Sequence, residues 1–323
     1  MSADTTTRAD GPLVSVVVPV YNAEPYVEQA VLSALGLSVR TEVLLVEDCS
    51  TDASLVVCRR LAQEHGAVRL LRHEDEANHG AGASRNLGIH AATGDYVSFL
   101  DADDYYLPNR FDVDVQLLEG DGSIDGVYGA VRRDYEPGAP PPPSGMAQVV
   151  TVDGEVVPEE LFDMLMAGQH GRFRTEGITV RRRVFDRTGF FDERLPIGQD
   201  WAMWLRMAAV CRLAPGSIDE PIAVCRRHPG NRARRENPLW RDSECEVYST
   251  TLQWAHRVGV SRRKVQVLRD ALILAVRHRR LHELGRVAAF LHVWRRTFRC
   301  QLRDPWFLPA ILGRGLRKLW RRE

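Results

Sequence analysis

The sequence has few cysteines and no long apolar run, and each shortage excludes a class of protein. Its 323 residues include six cysteines, none of them paired at C-x-x-C spacing, which argues against a disulfide scaffold or a zinc site and favours a reducing compartment. No stretch reaches the roughly 18 apolar residues that a membrane-spanning helix needs. The polar first ten residues, MSADTTTRAD, are unlike a signal peptide. We therefore expect a cytoplasmic protein.

The composition is that of an ordinary globular protein, with 44% hydrophobic and 27% charged residues, at a length that suits roughly two domains. The formal net charge of zero conceals an asymmetry. Residues 1–255 carry 25 basic and 39 acidic residues, whereas residues 256–323 carry 18 basic and 4 acidic residues. A basic tail on an acidic body favours a polyanion or an anionic membrane surface as the partner of the tail.

Short apolar runs alternate with helical patterns as far as residue 118. Runs too short for helices predict buried strands at Leu13–Val20, Glu42–Val46, Val68–Leu71 and Tyr96–Leu100. Apolar residues at helical spacing predict helices at 24–35, 52–65, 81–92 and 108–118. This alternation is typical of an α/β fold with a mainly parallel sheet. Ligands on such sheets bind at the carboxyl ends of the strands.

The rest of the chain has a less regular pattern. Residues 135–148 are rich in Pro and Gly and predict a surface loop or a mobile flap. Helical patterns follow at 159–166 and 200–211, and strand-like ones at 175–181 and 222–225. From about Trp240 onward the sequence predicts helix after helix.

Three carboxylates in four residues follow the fourth predicted strand: Asp101, Asp103 and Asp104. Like charges repel one another, so a divalent cation is their natural compensator. Oxygen-only ligands suit Mg²⁺ or Mn²⁺, and a bound diphosphate would complete the coordination. The alternative is a solvated acidic turn that caps the next helix.

Two further segments follow strands. Glu47 and Asp48 directly follow the second predicted strand. A carboxylate there could accept a hydrogen bond from a ring N–H of a base, while residues 50–52 are plausible helix caps. Residues 78–86 follow the third strand, and their glycines allow close backbone approach to an anion at a helix N-terminus. Within them Arg85 could pair with a phosphate or be an ordinary surface arginine.

Four strings occur in a characteristic order: VSVVVPVYNAEPYVEQAVLSAL, LLVEDCSTD, HGAGASRNLGIHAATGDYVSFLDADD and VFDRTGFFDERLPIGQDWAMWLRMA. Together they resemble glycosyltransferase family 2, from about Leu13 to about Asn231. The resemblance implies the GT-A fold: a Rossmann-like, mainly parallel sheet flanked by helices. It divides the chain into a flexible arm (1–12), a GT-A domain (13–235) and a basic helical extension (236–323). Within the GT-A domain, 13–134 would bind the nucleotide and 150–235 the acceptor.

The resemblance also assigns roles at the nucleotide. Pro19, Tyr21 and Asn22 would frame the base, Asp48 would hydrogen-bond to it, and Arg85 would lie beside the nucleotide.

At the metal, the resemblance places Asp101 and Asp103 near the ribose and the ion, with Asp103 as the ligand and Asp104 as a second candidate. Asp200 matches the catalytic base, although a helix N-cap is the other interpretation of this residue. His228 matches a histidine that closes over the diphosphate or the metal.

The sequence departs from the family pattern at three positions. Glu47 stands where Asp is usual, Gln199 stands before the base where Glu is usual, and Arg232 replaces a small residue. The change at Gln199 would alter acceptor orientation or tune Asp200, and the change at Arg232 bears on His228.

The implied activity is inverting, Mn²⁺- or Mg²⁺-dependent transfer of a sugar, most simply from a UDP-sugar, to a hydroxyl acceptor. A glycan or a lipid-linked acceptor in polysaccharide, envelope glycan or glycolipid synthesis would fit. One alternative is a non-catalytic nucleotide- or sugar-binding module that retains the fold. A sugar-phosphate nucleotidyltransferase is disfavoured, because residues 21–25 lack that class's Gly-rich basic loop. No nucleic-acid module accompanies the basic tail.

The end of the tail mixes aromatic residues, leucines and arginines. Such a mixture suits an interfacial helix on anionic lipid, which would make the protein peripheral on the inner face of the cell membrane. A helix packed on the preceding domain or a dimer contact fits the same pattern. The apolar stripe would comprise Trp306, Phe307, Leu308, Ile311, Leu312, Leu316, Leu319 and Trp320.

Overall fold

The computed structural model describes residues 11–142, 145–154, 156–231 and 238–281. Its strands are β1 Leu13–Val20, β2 Arg40–Glu47, β3 Val68–Arg72, β4 Tyr96–Phe99, β5 Tyr105–Tyr106, β6 Gly126–Tyr128, β7 Ala130–Tyr135, β8 Val149–Val150, β9 Ile178–Arg181, β10 Leu213–Pro215 and β11 Pro221–Arg227. Its α-helices are α1 Val27–Leu35, α2 Ser54–Glu64, α3 Gly80–Ala91, α4 Asp112–Gly120, α5 Leu161–Ala167, α6 Val184–Thr188, α7 Gln199–Val210, α8 Pro238–Val258 and α9 Arg262–Leu281. A 3₁₀ turn, Thr175–Gly177, precedes β9.

Seven strands form the main sheet, in the spatial order β10, β6, β9, β4, β1, β2, β3. The pairs that β1 makes with β2 and β4, and that β2 makes with β3, are parallel. So is the pair of β6 with β10, while β9 runs antiparallel between β4 and β6. The predicted α/β class with a mainly parallel sheet is therefore confirmed.

The main sheet is buried on both faces because alternate side chains of its central strands enter two different cores. Val17 of β1 belongs to the core shared with α3, α5, α6 and α7. Val16 and Val18 belong to the core shared with α1, α2 and α4. A strand buried on both sides needs apolar residues at successive positions, which explains the unbroken valine run of β1.

The helices α8 and α9 form a hairpin around Gly259, whose φ of 77° suits glycine. Side chains such as Trp254 and Leu268 are buried in the same core as α7. The part of the predicted extension that the structure describes therefore shares a core with the preceding domain. None of the described helices has the length and apolar character needed to cross a membrane.

A smaller sheet has the order β5, β11, β7, β8. Its strand β5 begins directly after the acidic turn at residues 101–104 and pairs antiparallel with β11. This pairing brings the segment after β11 next to the acidic turn. Three features of the sequence analysis lie outside the described residues: residues 1–10 of the predicted arm, Arg232, and the apolar stripe from Trp306 onward.

Candidate active site

The parallel strands β1, β2 and β4 end at one edge of the main sheet, and the loops that follow β1 and β2 are hydrogen-bonded to each other. Asn22 adopts a left-handed backbone with φ of 50°. Its Oδ1 accepts a hydrogen bond of 2.8 Å from the Thr51 amide, and its own amide donates to Ser50 Oγ at 3.1 Å. Tyr21 beside it and Pro19 within β1 are half-buried. The three residues predicted to frame a base thus stand together at this edge.

Asp48 follows β2 and caps the N-terminus of α3. Its carboxylate is 2% exposed, and its two oxygens accept hydrogen bonds of 2.8 Å from the amides of His79 and Gly80. A carboxylate at the positive end of a helix dipole is stabilised. The anion that the sequence places at this helix end is thus the protein's own side chain, and Asp48 connects the predicted base site to α3.

Arg85 projects from α3 toward the acidic turn and is 4% exposed. Its Nη2 donates a 2.6 Å hydrogen bond to Asp101 Oδ1, and its guanidinium lies 5.5 Å from the ring centre of Phe191. Its Nε and Nη1 have no hydrogen-bond partner within the described chain. Buried guanidinium donors are almost always satisfied, so an acceptor from a ligand is the natural complement. The interpretation of Arg85 as a surface arginine is wrong.

Asp103 is held by the segment that follows β11. Its Oδ2 lies 3.1 Å from His228 Nε2 and accepts a 3.0 Å hydrogen bond from Asn231 Nδ2. The loop is closed by the Asn231 side chain, which accepts from the His228 amide at 2.6 Å. The ring of Tyr26 lies 4.7 Å from that of His228. The structure thus brings together the predicted metal ligand and the predicted histidine.

Asp104 faces the interior rather than solvent. It is 3% exposed, and its Oδ1 accepts a 2.7 Å hydrogen bond from the Arg226 amide of β11. Burial, followed by the nearby Cys225 and Glu176, raises the pKa of Asp104 well above its ordinary value. At Glu176 burial is outweighed by the charge of Arg174 and a hydrogen bond with Asp104, which hold the pKa at about 2. Asp104 therefore fastens the acidic turn to the smaller sheet.

The acidic turn offers oxygen ligands to a cation. Asp101, Asp103 and Asp104 each present a carboxylate oxygen, and these atoms lie within 4.8 Å of one another. Burial, followed by the charges of Glu176 and Asp103, raises the pKa of Asp101 to about 6 despite the opposing effect of Arg85. A positive ion relieves the repulsion between neighbouring carboxylates, and an all-oxygen set suits Mg²⁺ or Mn²⁺. The residues present therefore fit the predicted metal.

Asp200 lies in the first turn of α7. The N-cap of that helix is Gly198, with φ of 81°, and the Asp200 carboxylate accepts a 2.7 Å hydrogen bond from the next amide. A Cβ on Gly82 of α3 would lie 3.4 Å from Cγ of Gln199. The start of α7 therefore packs against the start of α3, the helix that carries Arg85.

Sequence reasoning missed Glu176 and Arg174, which lie on the loop and 3₁₀ turn before β9. Glu176 is fully buried, and Arg174 Nε donates to it at 3.2 Å. The only sequence feature that marks these two residues is that they are oppositely charged and precede an apolar run. That pattern is typical of a solvated turn. The pairing of β9 with β4 places Glu176 against the acidic turn.

Comparison with known proteins links this geometry to one family. A family model described as glycosyl transferase family 2 matches residues 15–190, more than half of the chain. An uncharacterized glycosyltransferase of Rickettsia conorii is 30% identical over 250 residues, which are 75% of this chain and 39% of the relative. The uncharacterized glycosyltransferase EpsJ of Bacillus subtilis is 39% identical over 233 residues, 68% of this chain and 62% of the relative. The chain thus spans less than two thirds of these relatives.

Solved structures share the fold. TarS 1-349 of S. aureus has a TM-score of 0.57 and 19% identity, over 84% of this chain and 72% of that one. It has also been solved in complex with UDP-GlcNAc, with a TM-score of 0.53. The mannosyltransferase PcManGT of Pyrobaculum calidifontis, in complex with GDP-Man and Mn²⁺, has a TM-score of 0.52 and 19% identity, over 98% of this chain and 89% of that one.

Proposed function

Because the chain belongs to glycosyltransferase family 2, we propose that it transfers a sugar from a nucleoside-diphosphate donor to a hydroxyl acceptor, with inversion at the anomeric carbon. The observation that carries this proposal is the group of residues at one sheet edge: Asp103 bound to His228, beside Asp101 bound to Arg85. Acidic oxygen ligands next to unsatisfied guanidinium donors are what a metal-bound diphosphate requires.

Different residues of the site would bind different parts of the nucleotide-sugar donor. Asp48, with Pro19, Tyr21 and Asn22, would receive the base at the ends of β1 and β2. The two Arg85 donors without partners, Nε and Nη1, would bind an oxygen of the diphosphate. The carboxylates of Asp101 and Asp103 would hold the ion, and His228 would orient Asp103. A bound Mn²⁺ or Mg²⁺ would supply Lewis-acid stabilisation of the negative charge on the leaving diphosphate.

Asp200 would act as the general base. The acceptor hydroxyl must lose a proton as its oxygen attacks the anomeric carbon, and the bond to the diphosphate breaks on the opposite face of the sugar. The carboxylate of Asp200 would take that proton. The position of α7 against α3 supports this role, because it places Asp200 on the helix start that adjoins the Arg85 helix. We favour UDP-sugars as donors and a glycan or lipid-linked acceptor.

A binding experiment tests the donor site. Calorimetry with UDP, GDP, dTDP and CDP, with and without Mn²⁺, would be run on the wild type and on Asp103→Asn. We expect one nucleotide to bind in a manner that requires both Mn²⁺ and Asp103. If no nucleotide binds to the folded protein, the donor-site proposal is wrong.

A second experiment tests transfer and stereochemistry without a known acceptor. The sugar donor of the nucleotide that binds best is incubated with the protein alone, so that water replaces the acceptor in a slow hydrolysis. Proton NMR then identifies the anomer of the released sugar. We expect the first anomer detected to have the opposite configuration to the donor, and Asp200→Asn to release it about 10²- to 10⁴-fold more slowly. Nucleotide binding without hydrolysis by the wild type would favour the non-catalytic module.

A further inference from the structure

A groove of about 530 Å³ lies at the opposite edge of the main sheet from the acidic turn. It adjoins the residues that precede β6 and β10, whose amino ends point away from the candidate active site. The C-terminal end of α7 forms one wall, and Lys264 at the start of α9 contributes to another. The groove is therefore built where the C-terminal helices pack on the main sheet.

A buried carboxylate arranges two arginines beside this groove. The side chain of Asp125 is 6% exposed and accepts hydrogen bonds from Arg187 Nη1 at 2.8 Å, from Arg183 Nη2 at 3.2 Å and from the Arg212 amide at 2.9 Å. The Arg183 and Arg187 side chains remain 52% and 47% exposed. One carboxylate thus holds two guanidinium groups side by side, with about half of each still open to solvent.

Two more cations line the same groove. The Arg212 side chain is 48% exposed and reaches Glu159 at 3.4 Å, while Lys264 Nζ donates a 2.8 Å hydrogen bond to the Ala209 carbonyl. The first turn of α9 also contains Arg262 and Arg263 and has no acidic residue. Cations at the positive end of a helix dipole are unfavourable. Asp163 already pairs with Arg263 at 2.7 Å, and a further anion in the groove would add to that stabilisation.

The lining contains four basic and two acidic side chains, an excess of two positive charges. Arginine pairs bind phosphate oxygens through parallel N–H donors, and a phosphate monoester carries close to two negative charges at neutral pH. We propose that this groove binds a phosphate group, carried either by a small phosphate compound or by the headgroup of an anionic lipid. This site is separate from the donor site and does not depend on the proposed transfer reaction.

Variants of the groove are available that leave the Asp125 contacts in place. The double variant Arg212→Gln, Lys264→Gln removes two cations whose side chains are not bonded to Asp125. The variant Ser123→Glu introduces a negative charge in an exposed lining residue and removes no cation. Arg60→Gln is the matched control, because Arg60 is 43% exposed and paired with Glu28 of α1 and Glu64 of α2.

The experiment is calorimetry of the full chain with two probes: inorganic phosphate, and dihexanoyl phosphatidic acid, a phosphate monoester, below its micelle concentration. We expect binding of at least one probe to weaken about tenfold or more in the double variant, since each lost charged hydrogen bond is worth about that factor. Ser123→Glu should weaken it too, and Arg60→Gln should not. Tighter binding of the lipid would identify a headgroup site, and tighter binding of inorganic phosphate would identify a small phosphate compound.

The wild type and all the variants have the same basic tail and the same donor site. A difference in probe affinity between them therefore reports on the groove alone. UDP binding with Mn²⁺ should be unchanged in the groove variants, which separates this test from that of the donor site. The inference is overturned if neither probe binds, or if folded double and Ser123→Glu variants bind both probes as tightly as the wild type does.

Discussion

Nε2 of His228 lies 3.1 Å from Oδ2 of Asp103, although 125 residues separate them in the sequence. The contact exists because β5, which follows the acidic turn, pairs with β11, which precedes His228. Asn231 donates to the same carboxylate oxygen. A side chain that orients a metal-binding carboxylate typically contributes 10- to 100-fold to metal affinity.

His228→Ala should therefore weaken Mn²⁺-dependent nucleotide binding by about 10- to 100-fold, because Asp103 loses the ring that fixes Oδ2. Calorimetric titration with UDP and Mn²⁺ measures the change. His170→Ala is the control, since His170 is also paired with an aspartate, Asp153, at 3.4 Å, away from the acidic turn. Equal affinity in His228→Ala and wild type would show that Asp103 needs no support from this loop.

Asp200→Asn should lower kcat by about 10²- to 10⁴-fold, the usual contribution of a general base, and leave nucleotide affinity unchanged. The amide keeps the shape of the carboxylate but cannot take the acceptor's proton. Steady-state hydrolysis or transfer assays give kcat, and calorimetry gives the affinity. The exposed Asp186 of α6 provides the control variant Asp186→Asn. A rate within twofold of the wild type would remove Asp200 from the chemistry.

Gly88→Ala should destabilise the fold by about 1–3 kcal/mol, the usual cost of overpacking a core. A Cβ at this position would lie 2.3 Å from Cγ1 of Val17, so α3 would have to move away from β1. Gly66→Ala is the matched control, because a Cβ there meets nothing within 4 Å. Urea unfolding of both variants measures the loss. Equal stability of Gly88→Ala and wild type would contradict the close packing of α3 on β1.

The sequence predicts the central strands well because their signal is strong and local. β1 spans Leu13–Val20, as the valine run indicates, and β2, β3 and β4 differ from the predicted ranges by a few residues. Apolar runs between turn residues define such strands without reference to the rest of the chain. The carboxyl-end rule also placed Asp48 and Asp103 at the edge where the structure has them.

The strand-like pattern at 222–225 predicts β11 of the smaller sheet, but its other strands could not be predicted, because they are short or mixed in character. β5 and β8 have two residues each, and β7, over Ala130–Tyr135, has two buried positions followed by three charged residues in a row. The bond between Asp103 and His228 depends on this sheet, and so does the environment of Asp104. Long-range pairing of short strands leaves no periodic trace in a sequence. The family resemblance identified His228 as a candidate site residue, whereas no feature of the sequence identified Glu176.

Glu42 lies at the start of β2, at the sheet edge away from the candidate active site. Its Oε1 accepts hydrogen bonds from Ser15 Oγ at 2.6 Å, from Thr93 N and Oγ1 at 2.6 and 2.8 Å, and from Gly94 N at 3.2 Å. Burial by itself raises the pKa of Glu42, but these hydrogen bonds lower it to a net value below the ordinary 4.5. The carboxylate thus fastens the loop before β4 to β1 and β2.

Because the pKa of Glu42 is lower in the folded state than in the unfolded state, its ionised form stabilises the protein above pH 4.5, and this stabilisation is lost as the pH falls through the folded-state value. Glu42→Gln should therefore cost about 1–3 kcal/mol at pH 7, the range for a buried charged hydrogen-bond acceptor. Urea unfolding from pH 7 to pH 3 should show the gap between the two proteins narrowing below pH 4.5. Glu64→Gln, at a 48% exposed side chain, should change stability little at any pH, as surface ion pairs do. A gap that stays constant down to pH 3 would mean that the hydrogen bonds to Glu42 do not favour its ionised form.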